Sequence, residues 1–125
     1  MILISADWHL RKNDRVWFER PTLCGDGRFG LEQLLQVMDQ YDCQTLLGLG
    51  DLFNVKSQRS DALQLMRRMT EECRRRNYDF YYVQGQHEIS EPTLVSTVGG
   101  DESCHMHNKT VTIDGIRFHG LDYLN

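Results

Sequence analysis

The stretch Gln44-Thr45-Leu46-Leu47-Gly48-Leu49-Gly50-Asp51 decides the fold. It reads as a buried strand that runs straight into a glycine and an acid. The same design occurs on either side of it. Ile2-Leu3-Ile4-Ser5-Ala6 leads into Asp7-Trp8-His9, and Phe80-Tyr81-Tyr82-Val83 leads into Gly85-Gln86-His87-Glu88. Helical patterns fill the intervals. From Arg28 to Tyr41, Leu31, Leu34, Leu35 and Met38 recur at helical spacing. Ser60 reads as an N-cap, with Asp61 in the first turn, for a helix reaching about Arg76 whose apolar face is Leu63, Met66, Met69 and Cys73. The order strand, helix, strand, helix, strand implies an α/β fold with a parallel sheet and right-handed crossovers.

The remaining segments fit a single domain spanning residues 1–125. Arg11 to Gly27 is polar, with Trp17, Phe18, Pro21 and two glycines, and reads as a long loop. Lys109 to Asp114 alternates and Ile116 to His119 returns, so a hairpin-like strand pair with Asp114-Gly115 as its turn should follow the parallel strands. No apolar run approaches the roughly 20 residues of a membrane span. The start of the chain lacks the basic region of a signal peptide, so a cytoplasmic protein without a membrane partner is expected. Cys24, Cys43, Cys73 and Cys104 lie too far apart in sequence for zinc-knuckle or redox-pair motifs and read as reduced thiols. A net charge of −4 does not by itself favour nucleic acid. The arginines at 67, 68, 74, 75 and 76 read as the solvated end of a helix, favourable to its dipole.

Chemistry is expected where the strands end. Parallel strands bring their carboxyl ends to one edge of the sheet, where ligands bind in open α/β folds. That edge would gather Asp7, His9, Asp51, Gln86 and His87. Singly, an Asp after a strand is often a turn former and a lone His often structural. Asp7 and His9 form an i, i+2 pair that points both groups the same way, and Gly50 and Gly85 allow close backbone approach. Carboxylate, imidazole and carboxamide donors suit a hard-to-borderline divalent ion. A pair of ions would need a bridging carboxylate, for which Asp51 is the natural candidate.

Asp7-x-His9, Gly50-Asp51 and Gly85-x-His87-Glu88 resemble, in content, order and spacing, the calcineurin-like metallophosphoesterase superfamily. Asp7-Trp8-His9-Leu10 and Gly50-Asp51-Leu52-Phe53-Asn54 are similar to the SbcD-type nuclease subunits of DNA repair and recombination within it. The resemblance implies a metallophosphoesterase-like layered sandwich and hydrolysis of phosphodiesters in DNA. It implies two divalent ions, manganese first, with magnesium, iron or zinc as alternatives. Asp7 and His9 would hold one metal, Asp51 would bridge, Gln86 would serve the second metal, and His87 would stabilise or protonate the leaving oxygen. The partners it implies are DNA and an SMC-like ATPase subunit.

Two departures qualify the match. The family places Asn where this chain has Gln86, whose extra methylene moves the carbonyl oxygen by roughly 1.5 Å. The family also has further histidines downstream, in a Gly-His-x-His motif that this chain does not contain. His105-Met106-His107 lacks the preceding glycine and reads as a loop or strand start, and His119 reads as structural. The expectation is therefore an N-terminal part of a longer domain, with a homodimer or second polypeptide as other ways to complete the site. Alternative functions are a phosphatase or small-molecule phosphodiesterase on the same site, or a non-catalytic interaction module that keeps the fold.

Overall fold

The computed structural model describes residues 1–10, 27–53 and 60–124. In chain order these form β1 (Ile2–Ser5), α1 (Gly27–Gln40), β2 (Thr45–Leu49), α2 (Ser60–Arg75) and β3 (Asp79–Val83). A one-turn helix α3 (Leu94–Thr97), a 3-10 turn (Glu102–Cys104), β4 (Thr110–Ile113) and β5 (Ile116–His119) complete them. The first three strands pair in parallel in the order β1-β2-β3, with Leu3 opposite Leu46 and Leu46 opposite Phe80. This is the α/β arrangement the sequence implied. The long loop expected from Arg11 lies outside the described residues up to 26, and with it Arg15, Trp17, Phe18, Arg20 and Cys24. Gly27 belongs to α1 rather than to that loop.

Strand periodicity divides the sheet into two faces. Leu3, Leu46, Phe80 and Tyr82 point to the side that carries the helices and join one apolar cluster there. α1 contributes Leu31, Leu35 and Met38, a stripe at the i, i+4, i+7 spacing that made it legible. α2 contributes Ala62, Met66, Met69, Thr70 and Cys73. Leu63, expected on that stripe, lies at its margin, and Ala62 takes the buried position. On the opposite face Thr45 and Leu47 are buried, whereas Ile4 and Leu49 remain exposed.

The arginines of α2, and Arg76 just beyond it, are held by acids and a carbonyl. Arg67 pairs with Glu71 at 3.1 Å, Arg75 with Glu72 at 2.7 Å and Arg76 with Asp39 at 2.5 Å, while Arg74 donates to the carbonyl of Gly99 at 2.8 Å. Pairing of this kind leaves little free positive charge for a phosphate backbone and supports the reading of a solvated helix end. Cys43 and Cys73 are buried free thiols and Cys104 is a half-buried one. Burial pushes the Cys73 thiol up to about 11.

The expected hairpin is present, with Thr110 opposite His119 and Ile113 opposite Ile116. Asp114 and Gly115 have φ of 50° and 77°, the two positive values that a type I′ turn requires. His119, on β5, meets the Thr110 hydroxyl across the pair at 2.8 Å, a structural contact. His105-Met106-His107 runs beside β3, where the N–H of Met106 donates to the carbonyl of Tyr82 at 2.8 Å. His105 is buried, stacked on Tyr82, with Nε2 2.8 Å from Asp122 and Nδ1 3.4 Å from Glu102. Asp122 also accepts the N–H of Gln84 at 2.7 Å, which fastens the segment after β5 to the segment leaving β3.

Met66 is fully buried at the centre of α2's inner face. Met66→Ala should lower the free energy of unfolding by about 2–5 kcal/mol in urea denaturation. A change below about 1 kcal/mol would show that α2 is not packed on the sheet as described.

Candidate metal centre

The three parallel strands end at one edge, and local backbone forces bring their terminal residues together. β1 and β2 stay zipped beyond their last strand residues. The N–H groups of Asp7, His9 and Leu10 donate to the carbonyls of Gly50, Asp51 and Leu52 at 3.1, 3.0 and 2.8 Å. β2 and β3 are joined by close approach of two glycines. A Cβ on Gly50 would lie 2.9 Å from the nitrogen of Gly85, and a Cβ on Gly85 would lie 2.1 Å from Oδ1 of Asp51. Only glycine fits at position 85, and Gly50 additionally has φ of 87°.

Asp7, His9 and Asp51 themselves adopt left-handed backbone, with φ of 56°, 46° and 49°. Asp and Asn tolerate that region and occupy the turns at Asp42, Asn77, Asn108 and Asp114, but His9 is an unusual occupant. Such conformations cost on the order of 1–3 kcal/mol each and persist where the surroundings over-determine them. Here they aim three side chains at one point. One donor atom from each of Asp7, His9 and Asp51 lies within 4.8 Å of the others, the one group of this kind among the described residues.

The donor set fits a divalent cation. Nε2 of His9 and Oδ1 of Asp7 are 3.8 Å apart, too far for a hydrogen bond. Two ligands on one ion with bonds of about 2.1 Å sit roughly 3–4.2 Å apart, so this separation suits shared coordination. Asp7 is the open side of the group, 72% exposed, and Asp51 the closed side at 19%.

His87 completes the arrangement. Its N–H donates to Oδ1 of Asp51 at 3.2 Å, its Nε2 lies 4.0 Å from Oδ2 of Asp51, and its ring meets that of His9 edge-on at 5.1 Å. The structure thus gathers four of the five expected residues around one point. Gln86 is exposed in the turn between Gly85 and His87. His105 and His107 stand outside the group, engaged with Asp122.

One participant was not anticipated. Glu88, which the sequence places after His87 without assigning it a role, is buried beneath the site. Its carboxylate accepts N–H groups from Gly85 at 2.8 Å, Leu52 at 3.2 Å and Phe53 at 3.4 Å. Burial pushes this carboxyl up, against the pull of the three N–H groups, and the nearby Asp51 charge adds to the rise. The local signal was the three-residue step from Gly85 to Glu88, which lets a glutamate reach back to a turn N–H as in a capping box.

Comparison with models of known protein families and with curated proteins gives no match. Among the described residues no helix is long and apolar enough to cross a membrane.

The glycine contact yields a direct test. Gly85→Ala should displace Asp51 and destabilise the domain by about 1–3 kcal/mol, as overpacking does. Gly30→Ala is the control, at a glycine with open space around it and no positive φ. A Gly85→Ala protein that melts at or above the temperature of the Gly30→Ala protein would contradict the close approach.

Proposed function

We propose that this chain is a metal-dependent phosphodiesterase acting on DNA, part of a repair or recombination nuclease of the metallophosphoesterase superfamily. The observation that carries the reading is the convergence of Asp7, His9 and Asp51 within 4.8 Å, with His87 against Asp51. These are the residues whose spacing carries the resemblance, brought to one sheet edge by parallel topology. In this reading Asp7 and His9 hold one ion, Asp51 is shared with a second, and Gln86 serves the second. Manganese is the first choice among magnesium, iron and zinc.

Divalent ions at such a centre would supply Lewis acidity toward phosphate oxygens and an activated water. The chain's own residues contribute position and proton handling. Asp51, fixed by the N–H of His87, presents its second oxygen on the side facing the His87 ring. An imidazole 4.0 Å from that carboxylate can pass a proton to a leaving oxygen, the role proposed for His87. The left-handed backbone of Asp7 and His9 would help hold both donors in place for an ion.

DNA as substrate and an SMC-like ATPase as partner rest on the motif context around Asp7 and Asp51. A phosphatase or small phosphodiesterase would use the same centre, so substrate comparison separates the readings. With manganese present, the chain should cleave linear DNA, and Asp51→Asn should abolish manganese binding seen by calorimetry. His87→Gln should retain binding while reducing cleavage by about 100-fold or more, the scale of a lost general acid. Hydrolysis of a simple aryl phosphodiester without cleavage of DNA would favour the small-substrate enzyme. Manganese binding unchanged by Asp51→Asn would overturn the assignment of the centre.

A further inference from the structure

We propose that Glu88 is a positioning residue, a buried clamp that holds the ends of β2 and β3 in the register at which Asp51 and His87 can act. The inference rests on the reading of Asp7, His9 and Asp51 as a metal centre, and it assigns Glu88 no contact with metal or substrate. Three observations point to it. Glu88 is only 3% exposed, and the charge it faces is another carboxylate, that of Asp51. A buried carboxylate costs stability unless its oxygens are satisfied, so its hydrogen bonds identify what it does.

Those bonds reach two different strand ends. Oε1 accepts from Leu52, the residue after Asp51, and from Gly85, two residues before His87. Oε2 accepts from Phe53, whose neighbour Leu52 is also tied to Leu10 beyond β1. Through two oxygens, one side chain therefore links the segments that carry Asp51 and His87. The glycine contact sets how close these segments pass, and Glu88 fixes their position along the strand direction. The N–H of Glu88 closes the intervening turn onto the carbonyl of Gly85 at 3.4 Å. Charged acceptors make stronger bonds to backbone N–H than neutral ones, which suits a clamp at strained backbone.

The test compares Glu88→Gln with Glu88→Ala in the 125-residue chain. Glutamine keeps one oxygen that can take the N–H groups of Leu52 and Gly85, whereas alanine keeps none. Two readouts are used: manganese affinity by calorimetry at a temperature where each variant is folded, and amide hydrogen exchange by NMR. In Glu88→Ala, manganese affinity should fall about 10–100-fold, as for residues that orient metal ligands. Exchange at Leu52, Gly85 and His87 should speed by about tenfold or more while Ile113 and Phe118 of the hairpin stay protected. Glu88→Gln, which keeps one acceptor but loses the charge and the bond to Phe53, should lie between wild type and Glu88→Ala in both.

Unchanged affinity and unchanged exchange in Glu88→Ala would overturn the clamp, as would equal losses in the two variants. A loss of protection spread evenly over the domain would make Glu88 an ordinary core residue and overturn it as well. If the wild-type chain binds no manganese, the metal-centre reading fails on that result. The exchange pattern at Leu52, Gly85 and His87 then decides the clamp by itself.

Discussion

At the carboxyl edge of the sheet, the backbones of Gly50 and Gly85 pass closer than any side chain at either position would allow. Asp51 occupies the space that a methyl group on Gly85 would take. This contact brings the ends of β2 and β3 together, where His87 lies against Asp51. The helices matter to the site because they hold the sheet that makes the contact possible. Leu46, Phe80 and Tyr82, packed against α1 and α2, fix the strands whose ends must meet.

A second constraint follows from electrostatics. Asp7, Asp51 and Glu88 gather negative charge at one edge of a chain whose net charge is already −4. Glu88 is stabilised by backbone N–H groups, whereas Asp7 and Asp51 each face an imidazole at a distance beyond hydrogen bonding. Left-handed backbone at Asp7, His9 and Asp51 works against stability, yet the ladder from Asp7, His9 and Leu10 to Gly50, Asp51 and Leu52 maintains it. Strained backbone and like charge coincide at Asp7 and Asp51, as the proposed cation-binding edge would require. A stability-driven fold would avoid both.

Much of this was legible in the sequence, for identifiable reasons. Strand and helix periods are local, so β1, β2, β3, α1 and α2 could be read to within a residue or two from apolar spacing. Asp114-Gly115 announced its turn because few other pairs accept two positive φ values. That Asp7, His9, Asp51 and His87 come together was legible because parallel topology converts three separate strand ends into one place. What could not be read were partnerships made across the fold. Glu88 bonds to backbone groups 35 and 36 residues away, which leave no trace in side-chain identity. His105 is buried against Asp122, a contact that depends on where the chain returns after β5. Ala62 replaced Leu63 on the inner stripe because helix phase is fixed by packing on the sheet rather than by hydrophobicity alone.

The most direct measurement of the central claim is a crystal structure of the chain grown with manganese, recorded at a wavelength where manganese scatters anomalously. An anomalous peak is expected within about 2.5 Å of donor atoms from Asp7, His9 and Asp51, with the Gly50–Gly85 contact unchanged. A peak coordinated elsewhere, or crystals saturated with manganese that show none at this edge, would contradict it.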